Sequence, residues 1–117
     1  MNLEEIRFYC LSKNGVTEEF PFDEETLVFK VMGKIFLLTN INVLELTVNL
    51  KCDPELAVEW REKYASVVPG YHMNKKLWNT VSYNGEFSSS EFLKMIDHSY
   101  CEVVKKLPKK IQTELQK

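Results

Sequence analysis

The side chains best equipped for chemistry in this sequence lie together at Tyr71-His72-Met73-Asn74-Lys75-Lys76-Leu77-Trp78-Asn79-Thr80, directly after Pro69-Gly70. Lysines contact phosphate oxygens, and aromatic faces stack on bases and sugars. A stretch with cations, amides, an imidazole and two aromatics in a turn therefore suits a nucleic-acid backbone. The same residues also fit a plain structural role, in which Tyr71 and Trp78 cap the core, Asn74 and Asn79 satisfy turn amides, and Lys75 and Lys76 stay solvated. Pattern alone favours that structural role.

Other chemistry finds little footing. The chain has four glycines and two histidines, and none of the motifs GxSxG, GxGxxG, HExxH, paired CxxC or a Walker-type phosphate loop occurs. His98 and Cys101 stand three apart, a spacing that could turn both toward a metal, but two ligands make an incomplete site and a polar helix residue beside a buried thiol explains them. Glu18, Glu19, Asp23, Glu24 and Glu25 could hold a hard cation through carboxylate oxygens, although such groups more often solvate a strand edge. These residues give no support to an enzyme or to a metal or cofactor site, without excluding an enzyme. Cys10, Cys52 and Cys101 are odd in number and lack metal spacing, so they read as reduced, mostly buried thiols.

Charge narrows the partners. Fifteen basic against seventeen acidic residues give a formal charge of −2, so the field of the whole molecule does not attract anions and any anion site must be a local patch. The acidic excess sits in residues 1–29, and the basic excess follows. It concentrates at Lys75-Lys76 and at Lys105-Lys106 with Lys109-Lys110, while Lys30 and Lys34 flank Gly33. Placed at the close of a long helix, the lysines from 105 to 110 are favoured by the helix dipole by about 0.3–1 kcal/mol each, without any partner.

The elements that must position these residues are read from periodicity. Leu3, Ile6 and Cys10 form one helical stripe, with Asn2 and Glu5 spaced as a capping box. From Glu19 to Leu50 the period changes to two, as in Leu27, Phe29, Val31 and in Leu44, Leu46, Val48, Leu50. Turn signals at Asp23–Thr26, Gly33-Lys34 and Asn40–Asn42 divide this stretch into a four-stranded antiparallel meander. Asp53-Pro54 starts a second helix that buries Leu56, Trp60 and Tyr64. A strand is expected from Trp78 to Tyr83. The last long helix starts at Ser88, with Glu91 as capping partner, and buries Phe92, Ile96, Tyr100, Val103 and Leu107 until Pro108 stops it. A short helical pattern with Ile111 and Leu115 follows.

The expected fold is α+β: an antiparallel meander packed by helices from the N-terminus, middle and C-terminus, in one domain spanning residues 1–117. A chain of this length buries roughly two thirds of its unfolded surface and needs no disulfides. The first residues carry two glutamates and no apolar run of signal-peptide length, and the apolar stretches elsewhere are strand-sized. A cytoplasmic monomer without membrane contact is expected.

Several segments resemble the MmcQ/YjbR family of small, mainly bacterial proteins. They are Phe29-Lys30-Val31-Met32-Gly33-Lys34-Ile35-Phe36, Val48-Asn49-Leu50-Lys51-Cys52-Asp53-Pro54, Pro69-Gly70-Tyr71-His72-Met73-Asn74-Lys75-Lys76, Trp78-Asn79-Thr80-Val81, Asp97-His98-Ser99-Tyr100 and the closing Val103-Val104-Lys105-Lys106-Leu107-Pro108-Lys109-Lys110. Leu77 departs from the pattern, since the family typically has histidine before the tryptophan. The resemblance implies a CyaY-like fold and DNA binding through a double-wing arrangement. It implies Lys30, Lys34 and Lys51 on one wing and His72, Asn74, Lys75, Lys76 and Trp78 on the other, with duplex DNA as partner and no catalysis. The alternative is a protein-interaction or small-ligand module that uses Tyr71 to Trp78 as a pocket. The two arginines, Arg7 and Arg61, fall on helices outside this surface, so base reading by arginine is not expected.

Overall fold

A computed structural model describes residues 1–71 and 73–116. His72, one of the candidate site residues, lies outside the described residues. The elements run α1 (Leu3–Leu11), β1 (Val16–Glu19), β2 (Thr26–Val31), β3 (Lys34–Asn40), β4 (Thr47–Lys51), α2 (Pro54–Lys63), β5 (Val67–Pro69), β6 (Trp78–Ser82), α3 (Ser89–Val104) and α4 (Lys109–Leu115). The strands form one antiparallel sheet in the order β1-β2-β3-β4-β6-β5, an α+β fold in which the meander of the first four strands is extended by β6 and edged by β5. The short β5 gives no periodic signal of its own. It ends in Pro69, which has no amide to donate, as suits an edge strand.

Local chemistry explains the boundaries. Asn2 Oδ1 accepts the Glu5 amide at 2.9 Å, Asp53 Oδ2 accepts those of Glu55 and Leu56 at 3.1 Å, and Ser88 Oγ accepts that of Glu91 at 3.1 Å, so all three expected caps form. Met32 and Gly33 both take positive φ, 48° and 84°, in the two-residue turn that joins Val31 to Lys34. Such a turn matches the twist of the flanking strands, and glycine relieves half of its steric cost. Phe29 pairs with Leu37 but Lys30 with Ile35, which leaves Phe36 as an extra residue in a bulge.

The helices cover one face of the sheet, α3 over β2, β3 and β4, α1 against β1 and α2 against β5. Leu27, Phe29, Val31, Leu37, Val48, Leu50 and Val81 point inward to Phe92, Met95, Ile96 and Val103 of α3 and to Ile6 and Cys10 of α1. Strand alternation sends their neighbours outward, where Thr47 pairs with Ser82, Asn49 with Thr80, and Lys51 with Trp78. The loop after β1 folds back so that Pro21 and Phe22 approach Lys30 and Ile35. Val28 and Leu38 are buried although the alternation turns them to the outer side.

Three expectations need correction. In α2 only Ala57 is fully buried, while Leu56, Trp60 and Tyr64 are half-buried because this helix sits at the sheet margin. Leu107 is buried but lies beyond the end of α3 at Val104. Lys109 and Lys110 open α4 instead of closing α3, so the helix dipole opposes them and does not account for their position.

The quartet Asp97-His98-Ser99-Tyr100 fastens α3 to four places. Asp97 Oδ1 accepts the Tyr9 hydroxyl and the Lys13 ammonium, each at 2.6 Å. His98 Nε2 accepts the Asp53 amide at 3.1 Å, and Tyr100 donates to the Asn14 carbonyl at 2.7 Å. Ser99 Oγ donates to the Phe36 carbonyl at 2.5 Å and accepts the Lys51 amide at 2.8 Å. This hydroxyl fills the gap that the Phe36 bulge opens between β3 and β4, where ladder pairing stops at Leu37 and Leu50.

Candidate nucleic-acid interface

At the sheet end formed by the β2–β3 turn, the last residue of β4 and the first of β6, a groove of about 660 Å³ opens beside the C-terminal end of α3. Lys30, Lys34, Lys51 and Lys106 line it, around apolar walls from Phe22, Ile35, Trp78 and Leu107. The structure thus brings Lys30, Lys34, Lys51 and Trp78 together from among the expected site residues. It adds Lys106, which the sequence shows only as one member of a basic run.

Each member is positioned by a separate element. The tight turn at Met32-Gly33 presents Lys34. The Ser99 hydroxyl holds the Lys51 amide, and the next amide, of Cys52, donates to the Leu77 carbonyl at 2.7 Å, which sets the end of β4 against the approach to β6. Lys51 then faces Trp78 across the β4–β6 pair. Lys106 follows the helix end, its amide donating to the Val103 carbonyl at 3.1 Å.

These cations differ in how they are compensated. Glu19, diagonal to Lys30 across the β1–β2 pair, forms an ion pair with it. Lys105 is held by Glu102 at 2.5 Å, and this carboxylate pushes its pKa up. Among the described residues no carboxylate lies within ion-pair distance of Lys34, Lys51 or Lys106. Three positive charges therefore share one concavity without an internal counterion, an arrangement that repels itself until an anion arrives.

Asn74, Lys75 and Lys76 do not line the groove. Asn74 Oδ1 accepts the Lys76 amide at 2.9 Å, and the Asn74 carbonyl accepts the amides of Leu77 and Trp78, so this asparagine organises the turn. Lys75 Nζ donates to the Gly70 carbonyl at 3.3 Å, and Lys75 and Lys76 are exposed in the β5–β6 hairpin loop. Gly70 is needed here, because a Cβ at this position would stand 2.8 Å from Trp78 Cβ and 3.0 Å from the Trp78 carbonyl oxygen.

Arg61 was expected to lie apart from this region, yet its guanidinium reaches in from α2. Nε donates to Asn79 Oδ1 at 2.6 Å, and Nη2 donates to the Lys75 carbonyl. Asn79 is buried, and its amide donates to the Ala57 carbonyl at 3.4 Å. The arginine acts as a tether of the Pro69–Thr80 segment. Its sequence signal is faint: a long cation one helical turn before Tyr64, facing a buried amide far along the chain.

The remaining candidates serve structure. Arg7 binds Glu18 at 2.9 and 2.5 Å and holds its carboxyl below the usual range, while Asp23 accepts the amides of Glu25 and Thr26 at 2.9 and 2.6 Å. Among the described residues no group of three His, Cys, Asp or Glu side chains could hold a metal ion. Burial pushes the Cys10 and Cys52 thiols up to about 12, so neither is a thiolate at neutral pH. Cys101, expected to be buried beside His98, is exposed. His98 packs edge-on against Trp60 with ring centroids 5.5 Å apart, and burial lowers its pKa against the opposing pull of Glu102 and Asp53. Among the described residues no helix is long and apolar enough to cross a membrane.

A family model described as YjbR matches residues 11–102. The chain is 32% identical over 108 residues to the uncharacterized protein YjbR of Escherichia coli (strain K12), covering 92% of both chains. It is 38% identical over 97 residues to the uncharacterized protein YbdF of Escherichia coli O157:H7, covering 83% of this chain and 80% of the other. A crystal structure of a Deinococcus radiodurans protein with a DUF419 domain superposes with a TM-score of 0.92 at 38% identity, over 98% of this chain and 88% of that one. A Pseudomonas syringae protein superposes with a TM-score of 0.70 at 28% identity, over 85% and 96% of the two chains.

Proposed function

The chain belongs to the YjbR family, and for it we propose a nonenzymatic DNA-binding role in which Lys34, Lys51 and Lys106 hold phosphate groups at the mouth of the groove. The observation that carries this reading is the convergence of these three uncompensated lysines on one concavity of a chain whose net charge is −2. Phosphate contacts by lysine supply sequence-independent affinity and make it fall with salt. Neither arginine of the chain lines the groove, and among the described residues that line it there is no asparagine or glutamine to use bidentate on base edges. The role is therefore backbone binding with little sequence preference.

The test is a fluorescence anisotropy titration of mixed-sequence DNA, duplex and denatured, at low and physiological salt. The wild type is compared with K34A/K51A/K106A and with K75A/K76A. The first variant is expected to lose binding and nearly all salt dependence, and the second to keep both. Loss in the second variant with binding kept in the first would move the contact to the hairpin loop, and no binding by the wild type at low salt would remove the DNA-binding role.

A further inference from the structure

The groove combines two features that a duplex cannot satisfy together. Its rim is cationic, but its walls are apolar: Trp78 is half-buried and Phe22 is 65% exposed, both facing the same space as Lys34, Lys51 and Lys106. A B-form duplex shows its phosphates outward and keeps its base faces stacked inside, so it would meet the lysines and leave the aromatic walls wet. An unpaired strand carries both chemistries on one flexible chain, with phosphates for the rim and base faces for the walls. Along the outer face of β4 and β6 the polar side chains pair with one another: Thr80 Oγ1 donates to Asn49 Oδ1 at 2.5 Å, and at the end away from the groove the hydroxyls of Thr47 and Ser82 are 3.2 Å apart, so this face offers few groups to read base edges.

We infer that the ligand of this groove is a single-stranded nucleic acid, bound with an unpaired base against Trp78 and Phe22 and its flanking phosphates on Lys34, Lys51 and Lys106. This rests on the nucleic-acid reading above and narrows it to one class of substrate. A groove of about 660 Å³ has room for a base with its sugar and phosphates beside these walls. Stacking tolerates any base, since every base has a π-face, which agrees with the lack of arginine at the site.

The experiment uses a labelled thymidine strand of about 15 nucleotides, the same strand annealed to its complement, and thymidine monophosphate as competitor. The strand is expected to bind at least about tenfold more tightly than the duplex, with the monophosphate failing to displace it at comparable concentration. W78A is expected to weaken strand binding by about fivefold to 100-fold while leaving the salt slope unchanged, because stacking and phosphate contacts are separate contributions. W78F should retain most of the affinity. F22A, at an exposed position, serves as the second variant should W78A fail to fold, and in a W60F background quenching of Trp78 fluorescence by the strand reports contact directly. Duplex binding equal to or tighter than strand binding overturns the inference and leaves the DNA-binding role standing. Full displacement by the monophosphate also overturns it, in favour of a free nucleotide. Failure of both strand and duplex to bind removes the role and the inference together.

Discussion

Replacing Glu19 by glutamine isolates one charge at the groove. In the folded protein Lys30 is neutralised by Glu19, so three of the four lining lysines are available to phosphate. On a single strand each phosphate contact contributes about −0.7 to the slope of log affinity against log salt, giving about −2.1 for the wild type and about −2.8 once Lys30 is released. Between about 50 and 200 mM salt the wild type then loses about 18-fold in affinity and E19Q about 50-fold, with E19Q the tighter binder at the low-salt end. The side chains of this pair are part-exposed, 25% for Lys30 and 45% for Glu19, so their loss costs the fold no more than about 1 kcal/mol. The assay is an anisotropy titration at four salt concentrations, with circular dichroism to verify that the fold is unchanged. An E19Q slope equal to that of the wild type, with unchanged low-salt affinity, would refute the reasoning by showing that Lys30 makes no phosphate contact even when freed.

Three further outcomes are expected. S99A leaves the Phe36 carbonyl and the Lys51 amide without their shared partner at a fully buried position, a loss of about 1–3 kcal/mol in chemical denaturation, and it weakens strand binding by loosening the end of β4; unchanged stability would show that the sheet closes without this hydroxyl. R61A strands the buried Asn79 Oδ1 and should cost a similar amount, together with faster amide exchange in residues 73–78, and normal exchange there would deny the tether. The third concerns pH. His98 is held below its ordinary value of 6.5, chiefly by burial, so the unfolded chain takes up the proton first as pH falls. Its contribution to stability is complete above about 6.5 and declines as pH drops from there through the lower folded value. Thermal melts at pH 7.5 and 5.5 should show a larger fall for the wild type than for H98Q, and equal falls would acquit the histidine.

Much of the fold was legible along the chain because the forces involved are local. A capping side chain and the amide it binds are three residues apart or fewer, as with Asn2 and Glu5 or Ser88 and Glu91. The alternation of Leu27, Phe29 and Val31 reports which face is buried before any partner is known. The four-stranded meander followed, since its short turns leave each strand only one near neighbour. β5 escaped, since it has three residues and exists through its pairing with β6. The short helix after Pro108 was legible, but it takes Lys109 and Lys110 from the end of α3, because Pro108 removes the amide that would have continued that helix.

The interface divides along the same line. Residue types marked Trp78, Lys75 and Lys76 as able to meet an anion and a base, and the family resemblance added Lys30, Lys34 and Lys51. Which of them share a surface depends on contacts between residues far apart in the chain. The β4–β6 register sets Lys51 opposite Trp78, the Ser99 hydroxyl secures the end of β4, and the C-terminal end of α3 delivers Lys106. Compensation is equally nonlocal, for Glu19 silences Lys30 from a neighbouring strand while Lys34, Lys51 and Lys106 keep their charge free. A lysine's chemistry belongs to its side chain, but its availability is a property of everything that folds around it, and electrostatic pairing over a few ångströms bears no relation to distance along the sequence.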